Sequence, residues 1–127
     1  MSVQHLELKA ARALTSKTPA GTLTVVFLAQ DWCGHCSTMK PIYQQLASEF
    51  SCCNVKLVQV NAGTEGSTNV ARQLKEWIHQ GPPPGYPAFY AFNGPQYKDI
   101  MLGSCTADAF REWMLGKGLD CSMCLTK

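Results

Sequence analysis

Charged side chains are scarce in this chain, at 16% of its 127 residues, with 11 basic and 9 acidic groups and a formal net charge of +2. So small a surplus, with no run of Lys or Arg, excludes the electrostatic footprint of a nucleic-acid or anionic-membrane binder. Long apolar runs are also missing. The longest, from Leu23 to Ala29, falls far short of the ~20 residues a membrane-spanning helix needs. The opening residues, Met1-Ser2-Val3-Gln4-His5-Leu6-Glu7, contain no basic segment followed by an apolar one, and Cys124-Leu125-Thr126-Lys127 is no retention signal. The expected location is therefore the cytoplasm. Neither an internal repeat nor a linker-like stretch divides the chain, and its length suits one domain, expected as a monomer.

Cysteine, by contrast, is plentiful. There are seven, an odd number, and in a reducing compartment most are expected as free thiols, with any disulfide transient and catalytic rather than part of a static scaffold. Two pairs have Cys-x-x-Cys spacing, Cys33 with Cys36 and Cys121 with Cys124. The first lies between an apolar run and a helical pattern. A helix start offers unpaired amides and a positive dipole end, which favour a thiolate on the first cysteine. Cys33 is expected to be the exposed nucleophile, and Cys36, one turn into the helix, the resolving thiol. A structural zinc half-site is the competing reading of such spacing, but it needs two further ligands. No metal and no organic cofactor are assigned.

The elements are read from periodicity. Ser2 is a candidate cap for a helix over 3–15, with Leu6, Ala10, Ala13 and Leu14 on one face. The run 22–29 reads as a buried central strand. A helix to about Phe50 follows, with Met39, Ile42, Leu46 and Phe50 inward and Pro41 inside it. A strand over 55–61 and a helix over 68–79 come next. Gly81 to Pro87 is a stiff, proline-rich loop. Strands over 88–92 and 97–102 flank the hairpin signal Asn93-Gly94-Pro95-Gln96, and Thr106 caps a last helix over 107–115. The order implies an α/β fold with a central mixed sheet and helices on both faces. The domain is placed at 1–118, with a tail over 119–127.

Trp32-Cys33-Gly34-His35-Cys36, Pro41 five residues after the second cysteine, Gly85-Tyr86-Pro87 before a strand, Asn93-Gly94 and Gly103 together resemble the thioredoxin superfamily over roughly 3–117. The Trp-Cys-Gly-His-Cys form is similar to that of protein disulfide isomerase domains. The resemblance implies a thioredoxin fold and thiol-disulfide exchange with protein disulfides, served by an upstream reductase or oxidase. It also implies that Pro87 is cis and exposes the backbone of Tyr86 to an extended substrate, with Trp32 and Gly34 completing the binding surface. His35 stands where thioredoxins commonly have proline, and an imidazole there favours the thiolate of Cys33 and a more oxidising couple.

Two charges that the resemblance calls for are absent. Where relatives bury an acid beneath the second cysteine this chain has Val26 or Phe27, and where they place a lysine opposite it has Gln59. Slow resolution is the implied consequence, and with it an alternative function as a binding module of low turnover that holds a partner or a metal. For the second pair three readings stand. Cys121 and Cys124 are an auxiliary dithiol serving Cys33 and Cys36, half of a metal site closed by another subunit or by Cys33 and Cys36, or incidental thiols on a fraying end. Cys52, Cys53 and Cys105 read as structural cysteines, each with a regulatory alternative.

Overall fold

The computed structural model describes residues 3–124. Its centre is β2 (Leu23–Ala29), buried at every position. Such a strand carries apolar groups on both faces because both faces are covered. Val25, Phe27 and Ala29 enter one core with Met39, Tyr43 and Leu46 of α2 (Gly34–Glu49) and Phe110 and Met114 of α5 (Ala107–Gly116). Val26 and Leu28 enter the other, with Leu8 and Ala11 of α1 (Leu8–Lys17) and Val70, Leu74 and Ile78 of α4 (Ser67–Ile78).

The remaining strands are β1 (Gln4–His5), β3 (Val55–Asn61), β4 (Ala88–Asn93) and β5 (Gln96–Leu102), and a short α3 spans Ala62–Glu65. The sheet order is β1-β3-β2-β4-β5. β1 and β2 run parallel to β3, while β4 is antiparallel to both β2 and β5. The register places Phe27 opposite Gln59 on one side and Phe89 on the other. Asn93 pairs with Gln96 across a two-residue turn in which Gly94 has φ +57°. A Cβ there would lie 2.9 Å from the Ala20 backbone, so glycine is required by space as well as by φ. Among the described residues no helix is long and apolar enough to cross a membrane.

The expected strands, hairpin and last three long helices are present, and Thr106 caps α5 by accepting the amide of Ala109 at 3.1 Å. The amino-terminal expectation needs correction. No helix starts at residue 3; Gln4 and His5 pair with Val58 and Gln59 as an edge strand, and the helix begins at Leu8. Its first amide donates to Glu65 Oε2 at 3.1 Å, a cap supplied from 57 positions away. Ser2, the expected cap, lies outside the described residues. In α2 the buried stripe includes Cys36, Met39, Tyr43 and Leu46, with Ile42 only partly covered. Tyr43 sends its hydroxyl to the carbonyls of Val25 (2.8 Å) and Val58 (2.9 Å), fastening the helix to both central strands.

The end of the chain also differs from a fraying tail as far as Cys124. Gly118, with φ +106°, turns it back after α5; its amide donates to Leu115 O and that of Leu119 to Met114 O. That is a Schellman closure, and it buries Leu119 in the core with Met114. Asn54 then holds the returning segment. Its Nδ2 donates to Gly21 O and Gly118 O, and its Oδ1 accepts the amide of Asp120. Two disulfides, Cys52–Cys124 and Cys53–Cys121, span the same junction. The expectation of no static disulfide is therefore overturned. The pairings join residues 72 and 68 positions apart, and only the fold of the intervening chain brings them together.

Candidate active site

Cys33 is the N-cap of α2, in extended backbone conformation. Its sulfur accepts the amide of Cys36 at 3.1 Å, so the thiol performs the capping that Ser or Asp usually supplies. On the other side the Cys33 thiol donates to the carbonyl of Tyr86 at 3.4 Å. The helix start and the proline-rich loop therefore meet at one sulfur atom. The Tyr86–Pro87 peptide is cis, and the Pro87 carbonyl accepts the amide of Gly103, which ties this loop to the end of β5.

Both cysteines of the pair are free thiols. Cys36 is fully buried, and Cys33, expected to be exposed, is buried as well, at 5% exposure. The carbonyl of Tyr86 and the first turn of α2 cover it. The exposed member of the motif is Trp32, at 75%, whose ring meets that of Tyr86 edge to face at 6.1 Å. Gly34 and His35 are exposed on the first turn. The His35 ring contacts the Ser104 hydroxyl at 3.3 Å, across to the loop before α5.

Burial, followed by a hydrogen bond with Cys33, pushes the Cys36 thiol up to about 11, with a backbone hydrogen bond from Gln30 and, after it, the charge of Lys40 pulling the other way. The pleat of β2 decides which side chain lies on the Cys36 side. Phe27 shares the core that contains Cys36, and Val26 faces the opposite one. A phenylalanine thus occupies the place of the absent carboxylate. It sits in an aromatic cluster, stacked on Phe89 at 4.7 Å and edge-on to Tyr43 at 5.0 Å. Gln59 lies opposite it in register.

Some supporting contacts have no counterpart in the sequence reading. Asp31 accepts from the side chain of Asn61 at 3.2 Å, and Asn61 in turn accepts the amide of Gly63, joining the loop before Trp32 to the end of β3. Asn61-Ala62-Gly63 directly after a strand is the turn signal that could have marked it. Met39 Sδ accepts the amide of Cys105, fixing the loop before α5 against α2.

The second pair is elsewhere. Cys52 and Cys53 follow the carboxyl end of α2, whose 16 residues span about 24 Å, whereas Cys33 stands at the other end. Cys121 and Cys124 are bonded to Cys53 and Cys52, not to each other. They are not brought to Cys33 and Cys36, so neither the auxiliary-dithiol reading nor a metal site shared between the two pairs describes this arrangement.

Comparison with known proteins gives a consistent result. The thioredoxin family model matches residues 13–115. Over 88 residues the chain is 25% identical to a protein disulfide-isomerase of Aspergillus niger, a match that covers 69% of this chain and 15% of that protein. Thioredoxin f from spinach chloroplast superimposes with a TM-score of 0.72 at 18% identity, over 91% of this chain and 92% of that one. A chain from the complex of ferredoxin:thioredoxin reductase with thioredoxin f2 gives 0.72 at 12% identity, over 91% and 96%.

Proposed function

Because the chain belongs to the thioredoxin family, we propose that it is a thiol-disulfide oxidoreductase acting on protein disulfides through Cys33 and Cys36. The observation that carries this reading is the pair of free thiols at the start of α2, with the first sulfur held between the Cys36 amide and the Tyr86 carbonyl.

The Cys33 thiolate attacks one sulfur of a substrate disulfide, forming a mixed disulfide and releasing the other sulfur as a thiolate. Cys36, once deprotonated, attacks the Cys33 sulfur. The substrate leaves as a dithiol and the pair becomes a disulfide. An upstream protein reductase returns two electrons to close the cycle, a partner in keeping with the reductase complex formed by one structural neighbour. Run in reverse, the same steps oxidise a substrate dithiol. The exposed Trp32 and the backbone of Tyr86 form the binding surface, along which an extended segment pairs beside Cys33. His35, on the same turn, adds positive charge near the pair when protonated and so favours oxidising chemistry.

The binding-module reading keeps one observation in its favour. With Phe27 in place of an acid and the Cys36 thiol at about 11, resolution is slow and mixed disulfides are long-lived. Insulin reduction with dithiothreitol separates the two readings. An oxidoreductase accelerates it, and both Cys33→Ser and Cys36→Ser abolish the acceleration, the latter accumulating mixed disulfide. A wild-type rate equal to that of dithiothreitol alone sinks the oxidoreductase reading.

A further inference from the structure

We propose that Cys52, Cys53, Cys121 and Cys124 form a tetrathiolate site that holds a zinc ion when reduced and releases it when the two disulfides close. This does not rest on the proposed oxidoreductase activity. The site lies at the opposite end of α2 from Cys33 and uses none of its groups.

The first argument is geometric. Two disulfides in one small domain have no need to touch, yet here the sulfurs of Cys53 and Cys124, which are not bonded to each other, lie 3.6 Å apart. The sulfurs of Cys52, Cys53 and Cys124 all fall within 4.8 Å of one another, and the sulfur of Cys121 is bonded to that of Cys53. Zinc-thiolate bonds of about 2.3 Å in a tetrahedron set sulfur-sulfur edges of about 3.8 Å. The unbonded approach is already close to that edge length; reduction lets the bonded pairs open, and the Cys121 sulfur, outside the three-sulfur cluster, must move in to complete the set.

The second argument is that the site persists without its disulfides. The returning segment is held by the Schellman turn at Gly118, by burial of Leu119 and by the bonds that Asn54 makes to Gly21, Gly118 and Asp120. Asn54 and Asp120 also pair through their backbones, and Cys121-Ser122-Met123-Cys124 closes a turn from the Cys124 amide to the Cys121 carbonyl. Reduction therefore leaves four thiols converging rather than a released tail. Cys52 is exposed and Cys53 and Cys124 are half-buried, so an ion can enter. A donor set of four soft thiolates with no open position selects zinc over magnesium or calcium and suits a structural role rather than a catalytic one.

The two states exclude each other. Two molecules of a dithiol reductant convert both disulfides to four thiols and become two disulfides themselves. The four thiols then bind one zinc ion with loss of four protons. Two equivalents of a disulfide oxidant reverse the exchange and free the metal.

The test uses the full chain, reduced anaerobically, desalted and titrated with cobalt(II) as the spectroscopic probe. The expected result is about one cobalt per chain with sulfur-to-cobalt charge transfer and tetrahedral visible bands, bleached by added zinc. The signal should persist in Cys33→Ser/Cys36→Ser and vanish in Cys121→Ser/Cys124→Ser. Alkylation mapping on the wild type keeps the test decisive if that second variant misfolds. Zinc should protect Cys52, Cys53, Cys121 and Cys124, and chelator should remove the protection. Absence of thiolate bands in the reduced wild type, or zinc protection confined to Cys33 and Cys36, overturns the proposal.

Discussion

The amide of Cys36 donates to the sulfur of Cys33 at 3.1 Å, so the two cysteines of the pair are joined before any bond forms between their sulfurs. The bond orders the first turn of α2, on which both cysteines sit. This relationship and the packing around it have measurable consequences.

The first concerns pH. The Cys36 thiol, at about 11, ionises well above the working range, and its thiolate fraction rises about tenfold per pH unit below that point. Mixed disulfides on Cys33 should therefore resolve faster at each step from about pH 7 to about pH 10, as stopped-flow or quenched-flow measurement would read. The linked effect on stability has the opposite sign. The folded thiol keeps its proton to higher pH than an unfolded one near 9.0, so this stabilisation is complete below about pH 9 and is lost as pH rises toward about 11. Urea titrations of the reduced protein should show the loss, and Cys36→Ala should show a smaller one, the remainder coming from Cys105 and the tyrosines that burial also raises.

Substrate recognition is a separate matter, because the indole of Trp32 is 75% exposed and contributes little to the core. Trp32→Ala should change stability by less than ~0.5 kcal/mol but raise KM for a protein disulfide several-fold. For a small disulfide that makes no use of the flat apolar surface, KM should be unchanged.

A third expectation concerns the attachment of α2 to the sheet. The Tyr43 hydroxyl reaches the carbonyls of Val25 and Val58 from a fully buried position, and burial pushes its ionisation well above the usual range. Tyr43→Phe keeps the ring and removes the oxygen. It should cost about 1–2 kcal/mol by denaturant unfolding, with the active-site thiols reacting at their wild-type rates.

Asn54 is the clamp of the carboxyl-terminal segment, making three side-chain hydrogen bonds to Gly21, Gly118 and Asp120. Asn54→Ala should cost about 2 kcal/mol under reducing conditions and expose 118–124 to limited proteolysis. With both disulfides closed the segment should stay protected.

Much of the fold was legible because it is locally encoded. The apolar run of β2, the proline-rich loop, the Asn93-Gly94 turn and the Thr106 cap each act through neighbours in sequence. What escaped depends on residues far apart. Gln4 and His5 became a strand because Val58 and Gln59 offered an edge, and α1 is capped by Glu65. The side of β2 on which Phe27 lies, which decides what sits beneath Cys36, is set by the pleat and not by the motif.

The placement of Cys33 and Cys36 at the start of a helix was legible, but the burial of Cys33 was not, since the Tyr86 carbonyl that covers it comes from a loop 53 positions away. The docking of residues 119–124 does have a local signal. Gly118-Leu119 directly after a helix is the glycine-then-apolar pattern of a Schellman closure, which returns the chain to the core. The partners of Cys121 and Cys124 carried no comparable signal, because spacing alone permits many pairings.

The central claim is that Cys33 and Cys36 act as one redox couple. Equilibrating the protein across a series of thiol-disulfide buffers, then trapping by alkylation and mapping each cysteine by mass spectrometry, tests it most directly. The account predicts that these two residues lose their reactivity together, along a single two-electron curve, as a disulfide between them. Thiols at both positions across the whole range, or oxidation of one without the other, would contradict it.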